Sequence, residues 1–421
     1  PEMRDRTHFP DLAVYPDSSA APYGVEASHF GQGGWVPIAS AVKKSVKIPV
    51  IAVGRLDIKL GEKILKHHQV DFIGMNRPLI ADIYLPQKVS EGKEEDIVPC
   101  TGCMICYEDL KHGDHPRCMV NAALEHEKEF AIKKAERIKN VIVIGAGPAG
   151  MEAARAAALR GHRVTLYDKQ KKLGGSLNHI SVIKGCRQEN FLTLINYYKH
   201  QLHELGVQIN TGREFTTELL ETLKPDAVII ASGGVHVIPD IPGIDKKIVV
   251  SSRTLHNYLT RALRYFGVQR LRELTDIWMP VGKRVVIIGG SRYGCEIAEF
   301  LVNRGRKVTV LESGRNIGEG LTDTLCKPRL INWLEENGVT FESGVTFKEI
   351  TNQGISIVTE VGQKLDLKAN TIITALPLDP DETLYESLKG KVNEVYRVGD
   401  CASPALIVDA VAAGFKTGRE I

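Results

Sequence analysis

The chain has 421 residues, a formal net charge of +3 and 43% hydrophobic residues. This length predicts two or three domains, and the balanced charge, without a long basic tract, gives no reason to expect a nucleic acid partner. No apolar run reaches the roughly 18 residues of a membrane-spanning helix, so we expect no membrane partner either. Because no secretory leader is recognisable and half of the eight cysteines are scattered singly, we expect a cytoplasmic protein.

The first 90 residues alternate short apolar strands with helices. The pattern predicts strands at 12–16, 47–53 and 71–75 and helices at 35–46 and 59–68. Strands this apolar are typical of a parallel sheet covered on both faces. The turns after the last two strands carry Gly54 with Arg55 and Asn76 with Arg77. In a β/α barrel such loops commonly bind a phosphate. The alternative is two surface arginines that cap the loops.

Four cysteines follow with the spacing C-x2-C-x2-C-x11-C, at Cys100, Cys103, Cys106 and Cys118. Three thiolates from one short loop can bind three corners of a 4Fe-4S cubane, and the fourth arrives after the next loop. A structural zinc ion is the alternative, although zinc sites more often use two separated C-x2-C pairs. The spacing therefore favours an iron–sulfur cluster over zinc, and a disulfide framework is the weakest alternative.

A glycine-rich turn follows the buried strand predicted at 141–144. Gly145 permits the tight turn, Gly147 lets the backbone approach a pyrophosphate, and Gly150 lets helix and strand pack closely. The next predicted strand ends at Asp168, which is placed to accept hydrogen bonds from the ribose of an adenosine. This part of the sequence predicts a dinucleotide site in a Rossmann-like domain.

A second copy of this pattern begins at Arg284. Its turn contains Gly289, Gly290 and Gly294, but Ser291 replaces the middle glycine, and a serine side chain there could crowd a pyrophosphate. Glu312 ends the following strand and would repel a 2′-phosphate, which favours NADH over NADPH, although nearby Arg315 tempers that preference. A duplicated domain that has lost its nucleotide is the alternative.

The order of these motifs resembles a known family. Ile-Pro-Val-Ile-Ala-Val-Gly-Arg at 48–55, Gly-Met-Asn-Arg-Pro-Leu-Ile-Ala-Asp at 74–82 and then the cysteines are similar to the iron–sulfur branch of the old yellow enzyme family. That branch includes 2,4-dienoyl-CoA reductases, 2-enoate reductases, aryl-CoA reductases and trimethylamine dehydrogenase. The resemblance implies that the phosphate site holds FMN. It also implies that residues 1–90 are the C-terminal part of a TIM barrel whose earlier strands this sequence lacks.

Two further motifs resemble the FAD domain of reductases that bind two dinucleotides. They are Leu-Gly-Gly at 173–175 and Val-Gly-Asp at 398–400. The resemblance implies that Gly174, Gly175, Gly399 and Asp400 contact FAD, with Asp400 near its ribityl or phosphate region.

The proton donor is less clearly indicated. Dienoyl-CoA reductases carry a histidine directly before a Glu-Ala pair, and this sequence has Val25 at that position. Tyr23 and His29 are the remaining candidates, because either could extend from a loop at the catalytic face of a barrel. A packing or capping role is the alternative for each.

We therefore expect an α/β chain of four parts. They are an FMN-binding TIM barrel part (1–90), an iron–sulfur segment with a connector (91–138), an FAD domain (139–250 and 371–421) and an NADH domain (251–370). The connector contains a charged run from Glu125 to Lys139 with helical spacing. Apolar residues at helical spacing within 256–280 predict a helical pair packed on its own domain.

The predicted function is an NADH-dependent reductase of activated C=C bonds, in which electrons pass from NADH to FAD, to 4Fe-4S, to FMN and to the substrate. The resemblance implies an enoyl-CoA, enoate or aryl-CoA acceptor, a small-molecule or acyl-CoA partner. One alternative is an amine dehydrogenase resembling trimethylamine dehydrogenase, and another is an electron-input subunit that serves a separate catalytic partner. A homo-oligomer is left open.

Overall fold

The computed structural model describes residues 32–184, 191–323 and 326–421. Its N-terminal unit contains one pair of parallel strands with Ile51 opposite Phe72, and helices pack beside it. The elements are α1 (Val36–Ser45), β1 (Ile51–Ala52), α2 (Ile58–Lys66), β2 (Phe72–Ile73), α3 (Arg77–Ala81) and α4 (Leu85–Ser90). Both strands lie inside the predicted ranges but are shorter, and the strand predicted at 12–16 lies outside the described residues. Assignment of this unit to a TIM barrel stays a prediction.

The segment that follows this N-terminal unit, residues 91–139, has little regular structure. A short 3-10 turn (Glu94–Asp96) precedes α5 (Ile105–His112), and no helix forms between Met119 and Lys139. The helical spacing of the charged run was therefore misleading: Glu125 takes a left-handed conformation with φ 64°. Phe130 packs against the ring of Phe415 instead, at a centroid distance of 6.5 Å, so the connector runs along the first large domain.

The first large domain is a parallel five-stranded sheet in the order β17-β6-β3-β4-β5. Its strands are β3 (Asn140–Ile144), β4 (Arg163–Asp168), β5 (Gln208–Thr211), β6 (Ala227–Ile230) and β17 (Glu394–Arg397). Its helices are α6 (Pro148–Leu159), α7 (Ser176–Lys184), α8 (Phe191–Glu204), α9 (Thr217–Leu223), α14 (Thr383–Leu388) and α15 (Ile407–Glu420). Strand β3 is buried except at its first residue, as the sequence pattern predicts for a central parallel strand.

The second large domain repeats this architecture in the order β11-β10-β9-β15-β8. Its sheet contains β8 (Val249–Val250), β9 (Arg284–Ile288), β10 (Lys307–Leu311), β11 (Thr340–Glu342) and β15 (Thr371–Thr374). An antiparallel sheet of β12 (Thr346–Thr351), β13 (Gly354–Val358) and β14 (Lys364–Lys368) packs beside it, together with α12 (Arg292–Val302) and α13 (Cys326–Glu336). Two Rossmann-like parallel sheets in an α/β chain are thus confirmed.

The chain crosses between the two domains at β7 (Val235–His236) and β16 (Leu378–Asp379), which pair antiparallel. The predicted boundaries at 250 and 371 assign β8 and β15 to the FAD domain, but both strands lie in the second sheet, because β15 pairs with β9 and β8 pairs with β15. The physical reason is that both strands are apolar and short, so composition alone assigns them to either sheet. The chain re-enters the first sheet at β17.

The predicted helical pair consists of α10 (Ser252–Leu263) and α11 (Val268–Ile277). Its buried residues Leu263, Val268 and Leu271 pack on Val182 of α7, so the pair contacts the first domain rather than only its own. A second link joins the domains, since Lys184 of α7 lies 2.8 Å from the buried carboxylate of Glu296 in α12. Among the described helices, none is both long and apolar enough to span a bilayer.

Helix α15 packs on α6 at unusually close range, because a Cβ added to Gly414 would lie 2.2 Å from the carbonyl oxygen of Ala149. Alanine normally stabilises a helix relative to glycine by about 0.5–1 kcal/mol. We nevertheless expect Gly414→Ala to destabilise the chain by roughly 1–3 kcal/mol, because the backbones must separate. Chemical denaturation measures the free energy of unfolding, with Lys416→Ala on the exposed face of α15 as the control. A stabilised Gly414→Ala chain would contradict the prediction.

Candidate cofactor sites

The four predicted metal ligands line one cavity. Cys100, Cys103, Cys106 and Cys118 are all free thiols and all face it. Its other lining residues are Arg77, Ile80, Thr101, Met104, Arg117 and Val120. Among the described residues, this wall is mostly apolar, contains no carboxylate and includes the cationic side chains of Arg77 and Arg117. Two cations and no carboxylate favour the binding of a metal group that carries the negative charge of four thiolates.

The backbone of the cysteine loop folds around this cavity. Gly102 and Met104 both take left-handed conformations, with φ of 78° and 66°. Met104 is the residue before α5, and this helix then carries Cys106 into the cavity. Turns of this kind orient successive backbone N–H groups toward one point and are common around phosphates and iron–sulfur groups. A glycine at 102 is visible in the sequence, whereas a positive φ at a methionine is not.

Burial favours the neutral form of two of the four thiols, those of Cys106 and Cys118. Burial raises the pKa of the Cys106 thiol, which nearby Arg77 partly opposes. Burial also raises the pKa of Cys118 to about 11, although the backbone N–H groups of Val120 and Asn121 donate toward its sulfur. Because thiolates are the ligand form, metal binding here must release protons.

The cavity is compatible with either metal alternative. Tetrahedral zinc requires four sulfurs about 2.3 Å from one centre, whereas a cubane spreads its four thiolates over four iron corners. The preference for a 4Fe-4S cluster therefore rests on the spacing of Cys100, Cys103, Cys106 and Cys118 in the sequence, and the cluster stays a prediction.

The first glycine-rich turn has the geometry that its sequence predicts. A Cβ on Gly145 would lie 2.1 Å from the Ala231 carbonyl oxygen, and one on Gly150 would lie 1.9 Å from the Gly145 oxygen. At Gly147, by contrast, nothing lies within 4 Å of such a Cβ. The open side of the turn is thus at Gly147, the residue before α6, where a pyrophosphate would meet the helix N-terminus.

Asp168 holds this turn closed. Its Oδ2 accepts from the N–H of Ala146 at 2.6 Å, and its Oδ1 accepts from the N–H of Gln170 at 2.6 Å. Burial raises the pKa of Asp168, and these two donors oppose that effect. The remaining lone pairs of the carboxylate can still accept from ribose hydroxyls. The sequence predicted that Asp168 accepts from the ribose, but it did not reveal that Asp168 also holds the turn closed.

The two resemblance-derived glycine motifs meet at the same turn. A Cβ on Gly175 would lie 3.0 Å from Cα of Gly147. Gly399 has φ 69° and would place a Cβ 2.9 Å from Cβ of Ala149 in α6. Burial raises the pKa of neighbouring Asp400. The structure thus places Gly174, Gly175 and Gly399, with Asp400 next in the chain, beside the first turn, and their binding of FAD stays a prediction.

The second turn repeats the first closely. A Cβ on Gly294 would lie 1.9 Å from the Gly289 carbonyl oxygen. Glu312 takes the place of Asp168, because its Oε2 accepts from the N–H of Gly290 at 2.7 Å and its Oε1 from the N–H of Gly314 at 2.8 Å. Each predicted site therefore has an equivalent carboxylate, Asp168 or Glu312, at the end where the adenosine is expected.

Ser291 and Arg315, the two residues that weaken the sequence signal of the second turn, have the following surroundings. The hydroxyl of Ser291 is buried and finds no hydrogen-bond partner among the described residues. The guanidinium of Arg315 pairs with the carboxylate of Glu360. The preference for NADH over NADPH stays a prediction.

The residues predicted to bind a phosphate in the N-terminal unit lie on one sheet edge. Because β1 and β2 are parallel and in register, the turns with Gly54 and Arg55 and with Asn76 and Arg77 follow adjacent strand ends. Arg77 also extends to the thiol cavity, where its Nη1 lies 2.6 Å from the sulfur of Met104. The predicted proton donors Tyr23 and His29 lie outside the described residues.

Sequence reasoning missed one pair beside the thiols. Arg117 binds Asp109 through two nitrogens, and neither residue carried a recognisable signal beyond its distance from a cysteine. An arginine directly before the fourth cysteine, with an acidic residue one turn after the third, is the pattern that could have indicated them.

Comparison with known proteins identifies the family. Residues 139–414, which include both glycine-rich turns, match the pyridine nucleotide-disulphide oxidoreductase family. The chain is 31% identical to an NADH oxidase of Thermoanaerobacter brockii over 95% of its own length and 59% of that protein's. It is 30% identical to a cinnamate reductase of Clostridium sporogenes, over 93% of the chain and 56% of the relative.

A solved structure matches over the same span. The complex of 2-naphthoyl-CoA reductase with 2-naphthoyl-CoA superimposes with a TM-score of 0.83 at 33% identity, over 95% of this chain and 58% of that one. The chain thus spans under three fifths of the length of the relatives it matches. It belongs to the pyridine nucleotide-disulphide oxidoreductase family, and its predicted place in the iron–sulfur branch of the old yellow enzyme family is confirmed.

Proposed function

We propose that the chain is part of an NADH-dependent reductase of activated C=C bonds, with an enoate, enoyl-CoA or aryl-CoA as its substrate. The observation that carries this proposal is a pair of glycine-rich turns of closely similar geometry, together with a cavity of four thiols packed on the domain of the first turn. When bound, the cofactors would supply the route NADH to FAD to 4Fe-4S to FMN to substrate, since FAD accepts a hydride and the cluster passes single electrons.

The chain's own residues have separate tasks in this proposal. The turn at Gly147 and the carboxylate of Asp168 bind FAD, and the turn at Gly290 with Glu312 binds NADH. Cys100, Cys103, Cys106 and Cys118 hold the cluster. Arg55 and the backbone at Asn76 and Arg77 bind the phosphate of FMN, while the guanidinium of Arg77 lies at the thiol cavity. Sheet edges and buried turns fix these groups, which keeps the distances between cofactors constant during electron transfer.

Relatives that reduce cinnamate and 2-naphthoyl-CoA support this substrate class. An amine dehydrogenase is the second candidate, and the fixed carboxylate of the second turn argues against it, because amine oxidation needs no nicotinamide. A cytoplasmic location and a small-molecule or acyl-CoA substrate belong to the same proposal.

The electron route predicts that NADH alone reduces the loaded protein. We expect anaerobic NADH to bleach the flavin absorbance of the purified chain and then the iron–sulfur absorbance, because the hydride enters at FAD. Cinnamate or an aryl-CoA added to the complete polypeptide should restore the colour. Colour that returns with the substrate only in the presence of a second protein would instead identify an electron-input subunit. Failure of NADH to bleach the flavin would favour the alternative function, an amine dehydrogenase.

Removing one ligand should abolish the cluster. We expect Cys118→Ser to lose most bound iron and sulfide while retaining FAD, because a hydroxyl is a poor iron–sulfur ligand and the first nucleotide turn is unaffected. Iron and sulfide assays and FAD released on denaturation measure both groups. Cys326→Ser, in α13 outside the cavity, is the matched control. Equal iron in both variants would refute the ligand assignment.

The carboxylate of the second turn should set coenzyme choice. We expect Glu312→Gln to raise the ratio of NADPH to NADH efficiency (kcat/KM) about tenfold, equivalent to ~1.4 kcal/mol, because the repelling charge is lost. Rates of flavin reduction with each coenzyme measure the ratio. Asp168→Asn is the control, since the matching carboxylate of the first turn should change FAD retention and leave the ratio alone. An unchanged ratio in Glu312→Gln would disprove the role.

A further inference from the structure

An arginine–carboxylate pair closes the loop between the third and fourth thiols. Arg117 immediately precedes Cys118, and Asp109 lies on α5 one turn after Cys106. The guanidinium donates from Nε to Oδ2 at 3.1 Å and from Nη2 to Oδ1 at 3.0 Å. The backbone N–H of Arg117 donates to the same Oδ2 at 2.8 Å. Three hydrogen bonds to one carboxylate therefore fix the backbone beside Cys118.

This pair differs from an ordinary surface ion pair. Asp109 is only 8% exposed, and bidentate pairing of arginine with a carboxylate fixes geometry as well as charge. Arg117 also lines the thiol cavity, on which Arg77 is the other cation. The pair thus touches the cavity wall while it connects two ligand-bearing segments.

The outer nitrogen of Arg117 extends the connection to the FAD domain. Nη1 lies 3.5 Å from Oδ1 of Asp409, whose other oxygen accepts from the N–H of Leu406 at the start of α15. Helix α15 begins a few residues after Asp400, near the first nucleotide turn. The same guanidinium therefore contacts the thiol segment and the helix that follows the FAD site.

We propose that Arg117 and Asp109 are a positioning pair that places Cys118 for cluster binding and sets the charge of one wall of the cluster site. The proposal rests on the iron–sulfur cluster of the proposed function. Groups that orient a metal ligand commonly change metal affinity 10–100-fold when they are removed. Nearby charge and hydrogen bonds also tune the reduction potential of an iron–sulfur cluster.

The variants separate position from charge. Asp109→Asn keeps the shape but removes the negative charge, Arg117→Gln removes the positive charge, and Arg117→Lys keeps the charge but loses the two-nitrogen geometry. Glu125→Gln is the matched control, because Glu125 pairs with His115 at 2.7 Å across the same loop but on the solvent side. FAD content and circular dichroism establish that each full-length variant is folded.

Two measurements on the loaded protein test the proposal. A chelator should remove iron 10–100-fold faster from Asp109→Asn, Arg117→Gln and Arg117→Lys than from wild type or Glu125→Gln. The cluster potential, followed by EPR during a redox titration, should become more positive in Asp109→Asn and more negative in Arg117→Gln, while Arg117→Lys stays near wild type. Opposite shifts would not result from a merely structural loop contact.

The contrary outcomes are distinct. Iron loss at the wild-type rate in Arg117→Lys, or potentials that move in the same direction in Asp109→Asn and Arg117→Gln, would overturn the positioning proposal while leaving the reductase intact. Wild-type protein without iron and sulfide would overturn the proposed cluster, and the proposal for Arg117 and Asp109 with it.

Discussion

Each glycine-rich turn is held closed by one carboxylate at the end of the next strand of its sheet, β4 in the first domain and β10 in the second. Asp168 binds the N–H of Ala146, and Glu312 binds the N–H of Gly290, at 2.6 and 2.7 Å. A glycine-rich turn would otherwise leave several backbone donors unsatisfied at a helix N-terminus. The carboxylate satisfies one of them, so the turn keeps its shape without a ligand. The proposal places a pyrophosphate on the donors that remain at each helix N-terminus.

The thiol cavity is attached to the first of these turns by a shared hydrophobic core. Ile105, Met119 and Val120 of the cysteine segment are buried in the same cluster of side chains as Val141 and Ala149 of the first domain. Protein interiors are packed tightly, so such a core permits little motion of the cysteine segment relative to the first domain. The distance between the thiols and the first nucleotide turn is therefore set by packing rather than by a flexible linker. Single-electron transfer depends steeply on distance, which makes this rigidity relevant to the proposed route.

Sequence patterns predicted what depends on local geometry. At positions 145, 150, 289 and 294 the neighbouring backbone leaves no room for a side chain, so each position requires glycine. The spacing of these glycines in the sequence was therefore enough to predict the two turns. Domain boundaries were less accessible, because β8 and β15 are short apolar strands that fit either sheet, and only the pairing of β15 with β9 and of β8 with β15 decides. The connector after Met119 showed a helical spacing of charges, yet residues 119–139 form no helix and the ring of Phe130 packs on Phe415. Contacts between residues distant in sequence, such as Arg117 with Asp409, leave no local pattern.

Arg77 illustrates how one residue can be placed correctly and interpreted too narrowly. The sequence assigns it to an FMN phosphate because it follows a strand end in the N-terminal unit. Its guanidinium in fact extends to Met104 and opposes the burial-induced rise in the pKa of Cys106. A long side chain can keep its backbone at one site and its charge at another. Its backbone follows the end of β2 while its cation lines the thiol cavity, so this one side chain connects the proposed phosphate site with the four thiols.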